Sequence, residues 1–508
     1  MRWRADPPRR ALAFVALAAL AVVSLWERSR GLGVSYWIDE GISVGVAQHS
    51  LLDIPGVLRR DGSPPLYYLL LHVWIRVFGA GESATHWLSL AFALLAIPAA
   101  YWAASPWGRG AGVAAATVAA FTPFLDGHAA ETRMYSLVAL LAILAAGAFV
   151  RAFVLRRRAH VAWFAVLLAA MLWTHNWALF FAFGCAVAIG ALAAARRDAR
   201  VLRDGALAGA GALVLYAPWI PTLLHQAEHT GAPWSTEPGL GALDEIPRAL
   251  LGSWVVVALA AAALAAGVVG VVRRRAAPER EALWVLALVL ATSVTAAFAA
   301  AQVEPGWASR YFAVFLAPLV VLVGLAAARA RWAGAAALVA IAAISFDPDT
   351  PHRYSKSNAE AVAAALEPSL RSGDVVLSTQ AEQVPVLRHY LGGGVRYWDP
   401  MRAVGDPRVM DWEDALAELR GARAGGRVER ELFPGVRRGE RLALVRPIVV
   451  GRSGWSAPWT RLVRVHSVEL ARSLAADRRF RALGTYRGTA VRSRRVGVEA
   501  TLYERVAP

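Results

Sequence analysis

The residues best able to do chemistry gather at the margins of long apolar runs. Asp39 and Glu40 stand together in Ser35-Tyr36-Trp37-Ile38-Asp39-Glu40, and Asp61 precedes Gly62-Ser63-Pro64-Pro65-Leu66-Tyr67-Tyr68. Asp126, His128, Glu131 and Arg133 form a second group, His175 and Asn176 a third, His225, Glu228 and His229 a fourth, and Glu304 with Arg310 a fifth. A carboxylate within reach of a hydroxyl can take its proton, and a guanidinium matches a phosphate bidentately. Each group also has a plainer role. Asp is a favoured N-cap, and Asp39 stands where a helix starting at Gly41 would need one. Pro64-Pro65 suits a first helical turn, Glu131 with Arg133 a surface ion pair, His175 between Trp173 and Trp177 an aromatic belt, and Arg310 a snorkelling position. His225 and His229 are one helical turn apart, as metal ligands often are, but two histidines without a third ligand do not make a site.

The apolar runs between these groups must position them. The chain has 508 residues, of which 57% are hydrophobic and only 18% charged, with a mean hydropathy of +0.43. Soluble domains carry about 25% charged residues, so much of this chain faces lipid. The net charge is +17, and every basic residue except Lys356 is an arginine. On a polytopic chain such an excess sets orientation through the positive-inside bias and gives no reason to expect a nucleic-acid partner. The single cysteine, Cys185, lies within an apolar run, which excludes an intramolecular disulfide and a cysteine-based metal site. Residues 11–26 follow four arginines as a signal peptide would, but the flank Trp26-Glu27-Arg28 has no small-residue cleavage pattern. They read as a retained first helix.

A span takes about 20 apolar residues. Candidates run near 11–27, 84–104, 110–125, 134–155, 160–173, 177–195, 203–224, 250–272, 281–301, 310–329 and 331–346, about eleven in all. Residues 65–80 are a further apolar run whose placement the arginines decide. With the N-terminus cytoplasmic, Arg109, Arg156 to Arg158, Arg196 to Arg203, Arg273 to Arg280, Arg329 and Arg331 all fall on the cytoplasmic side, provided that residues 65–80 do not cross. That run would reach about 24 Å as a helix and carries Tyr68, His72 and Arg76 as a polar stripe. It reads as an interfacial helix at the outer leaflet. The catalytic-looking groups then collect at the outer ends of helices, whereas a transporter would show mid-membrane acids, helices broken near their centres and internal repeats. The expected architecture is an α-helical polytopic membrane protein, residues 1–346, with an outer loop at 28–83, followed by a soluble α/β domain at 347–508 outside the cytoplasmic membrane. In that domain helices are expected at Asn358–Leu366, Glu382–Leu391 and near 466–480, and strands at Asp374–Ser378, Val395–Trp398 and near 497–505. Gly392-Gly393-Gly394 follows a helix and reads as a turn, so no nucleotide site is expected there.

Taken in order, Tyr36-Trp37-Ile38-Asp39-Glu40, Asp61 with Pro64-Pro65-Leu66-Tyr67-Tyr68, Phe78-Gly79, Glu131-Thr132-Arg133-Met134-Tyr135, Thr174-His175-Asn176 and Ser309-Arg310-Tyr311 resemble polytopic glycosyltransferases of the GT-C class. Within that class they are nearest the bacterial protein O-mannosyltransferase and aminoarabinose transferase group, families 39 and 83, over roughly residues 10–345. The resemblance implies a sugar donor linked to polyprenyl phosphate, mannose among the candidate sugars, used outside the membrane on a protein, lipid or glycan acceptor. By the same analogy Asp39 is the base, and Glu40 orients it or the sugar. Arg133 and Arg310 are the candidates for the phosphate, since a guanidinium matches it bidentately, and Tyr68, His72 and Arg76 would line a lipid entrance. Relatives with a metal place a carboxylate just before the Pro-Pro pair and a histidine in the later outer loop. Here Asp61 is displaced by Gly62-Ser63, and His225 or His229 would have to supply the nitrogen, so a divalent metal stays open.

Two other functions fit parts of this pattern. A lipid-linked sugar flippase or transporter would line a path through the membrane with charged residues. A membrane anchor for a working α/β domain would carry its convergent polar groups in that domain.

Overall fold

The computed structural model describes residues 7–274, 277–346, 356–422, 426–449, 455–487 and 497–507. The alanine-, leucine- and valine-rich runs are helical, as expected of segments that must satisfy every backbone group internally in lipid. Among the described residues eight helical stretches are long and apolar enough to cross a membrane: Ala11–Ser29, Glu82–Trp107, Tyr135–Val154, Ala178–Arg196, Ala199–His229, Trp254–Arg274, Ala277–Val303 and Ser309–Arg329. Shorter apolar helices occupy Leu66–Phe78, Arg109–Phe121, Ala159–Leu172 and Trp332–Ser345. Each of the eleven runs expected to cross carries one of these helices, and the chain is a multi-pass membrane protein. The helices of the first part are labelled in chain order: α1 Pro7–Ser29, α2 Ile38–Ala47, α3 Ile54–Asp61, α4 Leu66–Phe78, α5 Glu82–Ala104, α6 Arg109–Phe121, α7 Pro123–Ala129, α8 Tyr135–Phe149, α9 Ala159–Leu172, α10 Ala178–Arg196, α11 Ala199–Tyr216, α12 Ile220–His229, α13 Glu245–Leu251, α14 Trp254–Arg274, α15 Ala277–Val303, α16 Ala313–Arg329 and α17 Trp332–Ser345.

Helices α8 and α16 are apolar all round and buried on nearly every face, which makes them the centre of the bundle. Helix α4 is tied at both ends to the same end of the bundle. The Leu66 amide donates to Trp173 O at the close of α9 (2.9 Å), and Trp74 Nε1 donates to Ala84 O at the start of α5 (2.7 Å). Helix α4 has 13 residues and is one of the shorter apolar helices. Its exposed side carries Leu70, Val73, Val77 and Phe78, an apolar face suited to lipid. Asp39, Arg133, His175, Glu304 and Arg310 share one end of the bundle. The turns holding Arg109, Arg156 to Arg158, Arg196, Arg329 and Arg331 share the other. At that second end Arg196 pairs with Glu281 and Arg329 with Glu279, tying α15 to its neighbours.

Beyond α17 the chain forms a sheet, five-stranded among the described residues, in the order β2-β1-β3-β5-β4. Strands β1 (Val375–Ser378), β2 (Arg396–Trp398) and β3 (Arg441–Ile448) run parallel, while β5 (Gly497–Arg505) lies antiparallel between β3 and β4 (Phe480–Tyr486). Strands β3 and β4 were not expected from the sequence. The helix placed near 466–480 runs instead from Pro458 to Ala476, because Phe480 begins an edge strand. The expected domain start at 347 falls outside the described residues. The domain presses on α2 at its two glycines: a Cβ on Gly41 would lie 2.7 Å from the backbone of Val386, and one on Gly45 only 1.7 Å from Arg408 O. Only glycine permits that approach, and α2 is buried along almost its whole length.

Candidate active site

Helix α2 begins one turn earlier than its acids suggested. Trp37 is the N-cap, and Asp39 and Glu40 lie within the first turn, so Asp39 is not a cap. Adjacent helical residues point in different directions, and these two carboxylates part company. Asp39 faces a cavity of about 460 Å³ at the end of the bundle, shared with Asp61, Arg133, His175, Trp234 and Glu304. Glu40 is fully buried on the other side, where it meets Lys356, His86 and the Thr132 amide.

Two guanidiniums approach Asp39. Its Oδ2 lies 4.0 Å from Arg133 Nε and 3.8 Å from Arg310 Nε. Arg133 is held by Tyr68 Oη (3.2 Å), Ser43 Oγ (3.1 Å) and Asp39 O (3.4 Å). Arg310 lies over the rings of Trp234 (4.7 Å) and Tyr311 (5.2 Å), a cation–π placement that orients it without using its donors. Asp39 Oδ2, Arg133 Nε and Arg310 Nε are all buried and make no hydrogen bond. Buried polar atoms are rarely left so, and three of them around one point suit a polar ligand there. Burial pushes the Asp61 carboxyl above its usual range despite the opposing charge of Arg133. Burial, with Arg133 and Arg310 nearby, depresses His175 to about 3, so this imidazole is neutral at physiological pH. Its Nδ1 accepts from the Trp177 amide (3.1 Å).

Of the residues singled out in the sequence, Asp39, Arg133, Arg310, Tyr68 and Asp61 meet here. Glu40 does not touch the cavity. Burial opposes its charge, yet Lys356 and His86 hold its carboxylate below the ordinary range. Tyr68, His72 and Arg76 do not form one exposed stripe. Tyr68 is buried against Arg133, His72 is buried with its Nδ1 on Ala47 O (2.9 Å), and only Arg76 is exposed. His225 and His229 face Glu413 and Asp414 of the sheet domain (3.1 and 3.3 Å), while Asp61 sits beside Arg133. The three do not converge, and among the described residues no group of three or more His, Cys, Asp or Glu could hold a metal ion. Sequence reasoning missed Ser43, Trp234, Tyr311 as a ring beneath Arg310, and Trp412, which lines the cavity from the sheet domain. Trp412 carries no local signal, since only the docking of the two parts brings it there.

No protein-family profile matches the chain, and no characterised protein matches it in sequence. Its fold does match solved structures. ArnT from Cupriavidus metallidurans bound to undecaprenyl phosphate aligns with a TM-score of 0.58 at 14% identity, covering 96% of this chain and 97% of that one. The same protein in the apo state gives 0.57 with the same coverage. The apo oligosaccharyltransferase of Archaeoglobus fulgidus aligns at 0.48 and 13% identity over 75% of this chain and 64% of that one. ArnT is an aminoarabinose transferase of the GT-C class. The end-to-end likeness shows that this chain has the GT-C fold, with its helical membrane part and its C-terminal sheet domain.

Proposed function

We propose that the protein transfers a sugar from a polyprenyl-phosphate donor to a hydroxyl acceptor at the outer face of the cytoplasmic membrane. The observation that carries this reading is the arrangement of Arg133 and Arg310 around Asp39, with three orphaned polar atoms at its centre. The shared fold with a protein solved with undecaprenyl phosphate supports a lipid-linked donor. The cavity wall of Leu179, Phe180 and Leu223 suits a prenyl chain beside the charged end.

In this reading the donor phosphate takes the two guanidiniums. Without donor they oppose the charge of Asp39; with donor their pairing passes to phosphate oxygens, which frees Asp39 to accept a hydrogen bond from the acceptor hydroxyl. The acceptor oxygen attacks the anomeric carbon and its proton passes to Asp39. The bond from that carbon to the phosphate oxygen breaks, and polyprenyl phosphate leaves with one more negative charge than the donor phosphodiester carried. Arg133 and Arg310 stabilise that charge as it develops, which is where electrostatic catalysis gains most. Neutral His175 adds no competing positive charge. Because nucleotide sugars are cytoplasmic, an outward-facing site calls for a lipid-borne donor. The arginine-rich turns at the opposite end of the bundle favour that orientation.

The test compares membranes with and without the protein, given labelled polyprenyl phosphosugars including the mannose form. Protein-dependent release of polyprenyl phosphate with label on an acceptor is the expected result. Movement of intact donor across the bilayer without release would favour the flippase instead.

A further inference from the structure

Lys356 is the only lysine in the chain, and it is buried at the start of the described sheet domain. Its Nζ reaches both oxygens of Glu40 (2.6 and 2.7 Å) and Ala130 O (2.7 Å), with His86 Nε2 at 3.1 Å. An ammonium has three donors, and three oxygens surround this one. Glu40 is correspondingly filled. Its Oε1 also accepts from the Thr132 amide (2.7 Å) and meets His86 Nε2 (2.7 Å), and its Oε2 accepts from the Trp37 amide (3.2 Å). The cluster thus joins residue 40 to residues 130 and 132. Their chain neighbours are Asp39 and Arg133, whose side chains face each other across the site. A guanidinium is planar and broader, and it could not aim three donors at these oxygens from one atom.

We infer that Lys356 is a positioning residue: by closing on Glu40 and Ala130 it fixes the first turn of α2 against the turn before α8, and so sets Asp39 opposite Arg133. The sheet domain is then part of the catalytic unit. This inference rests on the glycosyl-transfer reading of the cavity. A shift of this pair by about 1 Å costs up to 10²-fold in rate when reacting groups must align.

Lys356→Met alone strands a buried carboxylate and can fail to fold. The decisive variant is therefore Glu40→Gln with Lys356→Met, which removes both charges together. Its thermal midpoint is expected near wild type, with kcat down about tenfold or more and donor KM within about twofold. Lys356→Arg is expected not to restore kcat. Wild-type kcat in the stable double variant would overturn the inference. A second readout is independent of turnover. Acetic anhydride should leave Lys356 unmodified in the native protein and modify it after denaturation, read by mass spectrometry of the peptide. Rapid acetylation in the native state would overturn the clamp. Absence of any sugar transfer by the wild type, with Lys356 still protected, would count against the transfer reaction and not against the clamp.

Discussion

Arg133 and Arg310 do different physical work around Asp39. Arg133 is fixed by three oxygens, from Tyr68, Ser43 and the Asp39 carbonyl, so its geometry is set before any ligand arrives. Arg310 is oriented by the Trp234 and Tyr311 rings, leaving its N–H groups for a ligand. Arg310→Lys should therefore weaken binding of polyprenyl phosphate about tenfold or more, because an ammonium loses both the fork and the stacking. Arg133→Lys should lower kcat with a smaller effect on donor affinity. Titration of the two variants with polyprenyl phosphate in detergent checks this, and equal affinities for Arg310→Lys and wild type would assign Arg310 to packing. The carboxylate and the two guanidiniums that meet here were visible in the sequence as residues able to do chemistry. That Glu40 turns away from Asp39 was not, because its partners Lys356 and Thr132 lie 316 and 92 residues along the chain.

At the scale of elements, α2 is the hinge of the arrangement, packed between the bundle and the sheet domain. A methyl at Gly45 would collide with Arg408 O, whereas one at Gly56 on α3 meets nothing within 4 Å. Gly45→Ala should lower the thermal midpoint and expose Lys356 to acetylation. Gly56→Ala should be neutral or slightly stabilising, since alanine is the better helix former. Equal midpoints for the two variants would contradict the close docking of α2. In the sheet domain the turn after β2 is held by Asp399, whose Oδ1 accepts from the Met401 and Arg402 amides (2.7 and 2.9 Å). Burial pushes its carboxyl up to about 6 against those amides. A raised folded pKa means that the stability linked to the proton is full below the ordinary carboxyl range and is lost as pH rises through about 6. Asp399→Asn keeps the acceptor and removes the titration. Its thermal midpoint at pH 7.5 should equal or exceed that of wild type, and a clear loss there would show that the charged form is needed.

Across the whole molecule, the bundle was legible because a crossing helix needs a long apolar run and little else, and because arginines mark one side. The sheet was only half legible. Strands β1, β2 and β5 are short apolar or alternating runs between turn residues, but β3 begins at Arg441 behind Arg437, Arg438, Glu440 and carries Pro447, and β4 is an edge strand with exposed Arg481. Their pairing is decided by register with β5, a long-range contact that no local pattern reports. Trp412 reaches the cavity for the same kind of reason. A reporter fused after Phe346 is expected outside the cytoplasm, and a cytoplasmic signal would invert the orientation proposed for the site.

The most direct test concerns Asp39. Asp39→Asn keeps the shape of the side chain in the first turn of α2 and removes its capacity to take a proton. With a donor that wild type uses, transfer should fall by about 10²-fold or more, while the thermal midpoint and the affinity for polyprenyl phosphate stay at or above wild type, since the arginines lose only a competing anion. A fully active Asp39→Asn protein would contradict the assignment of Asp39 as the base.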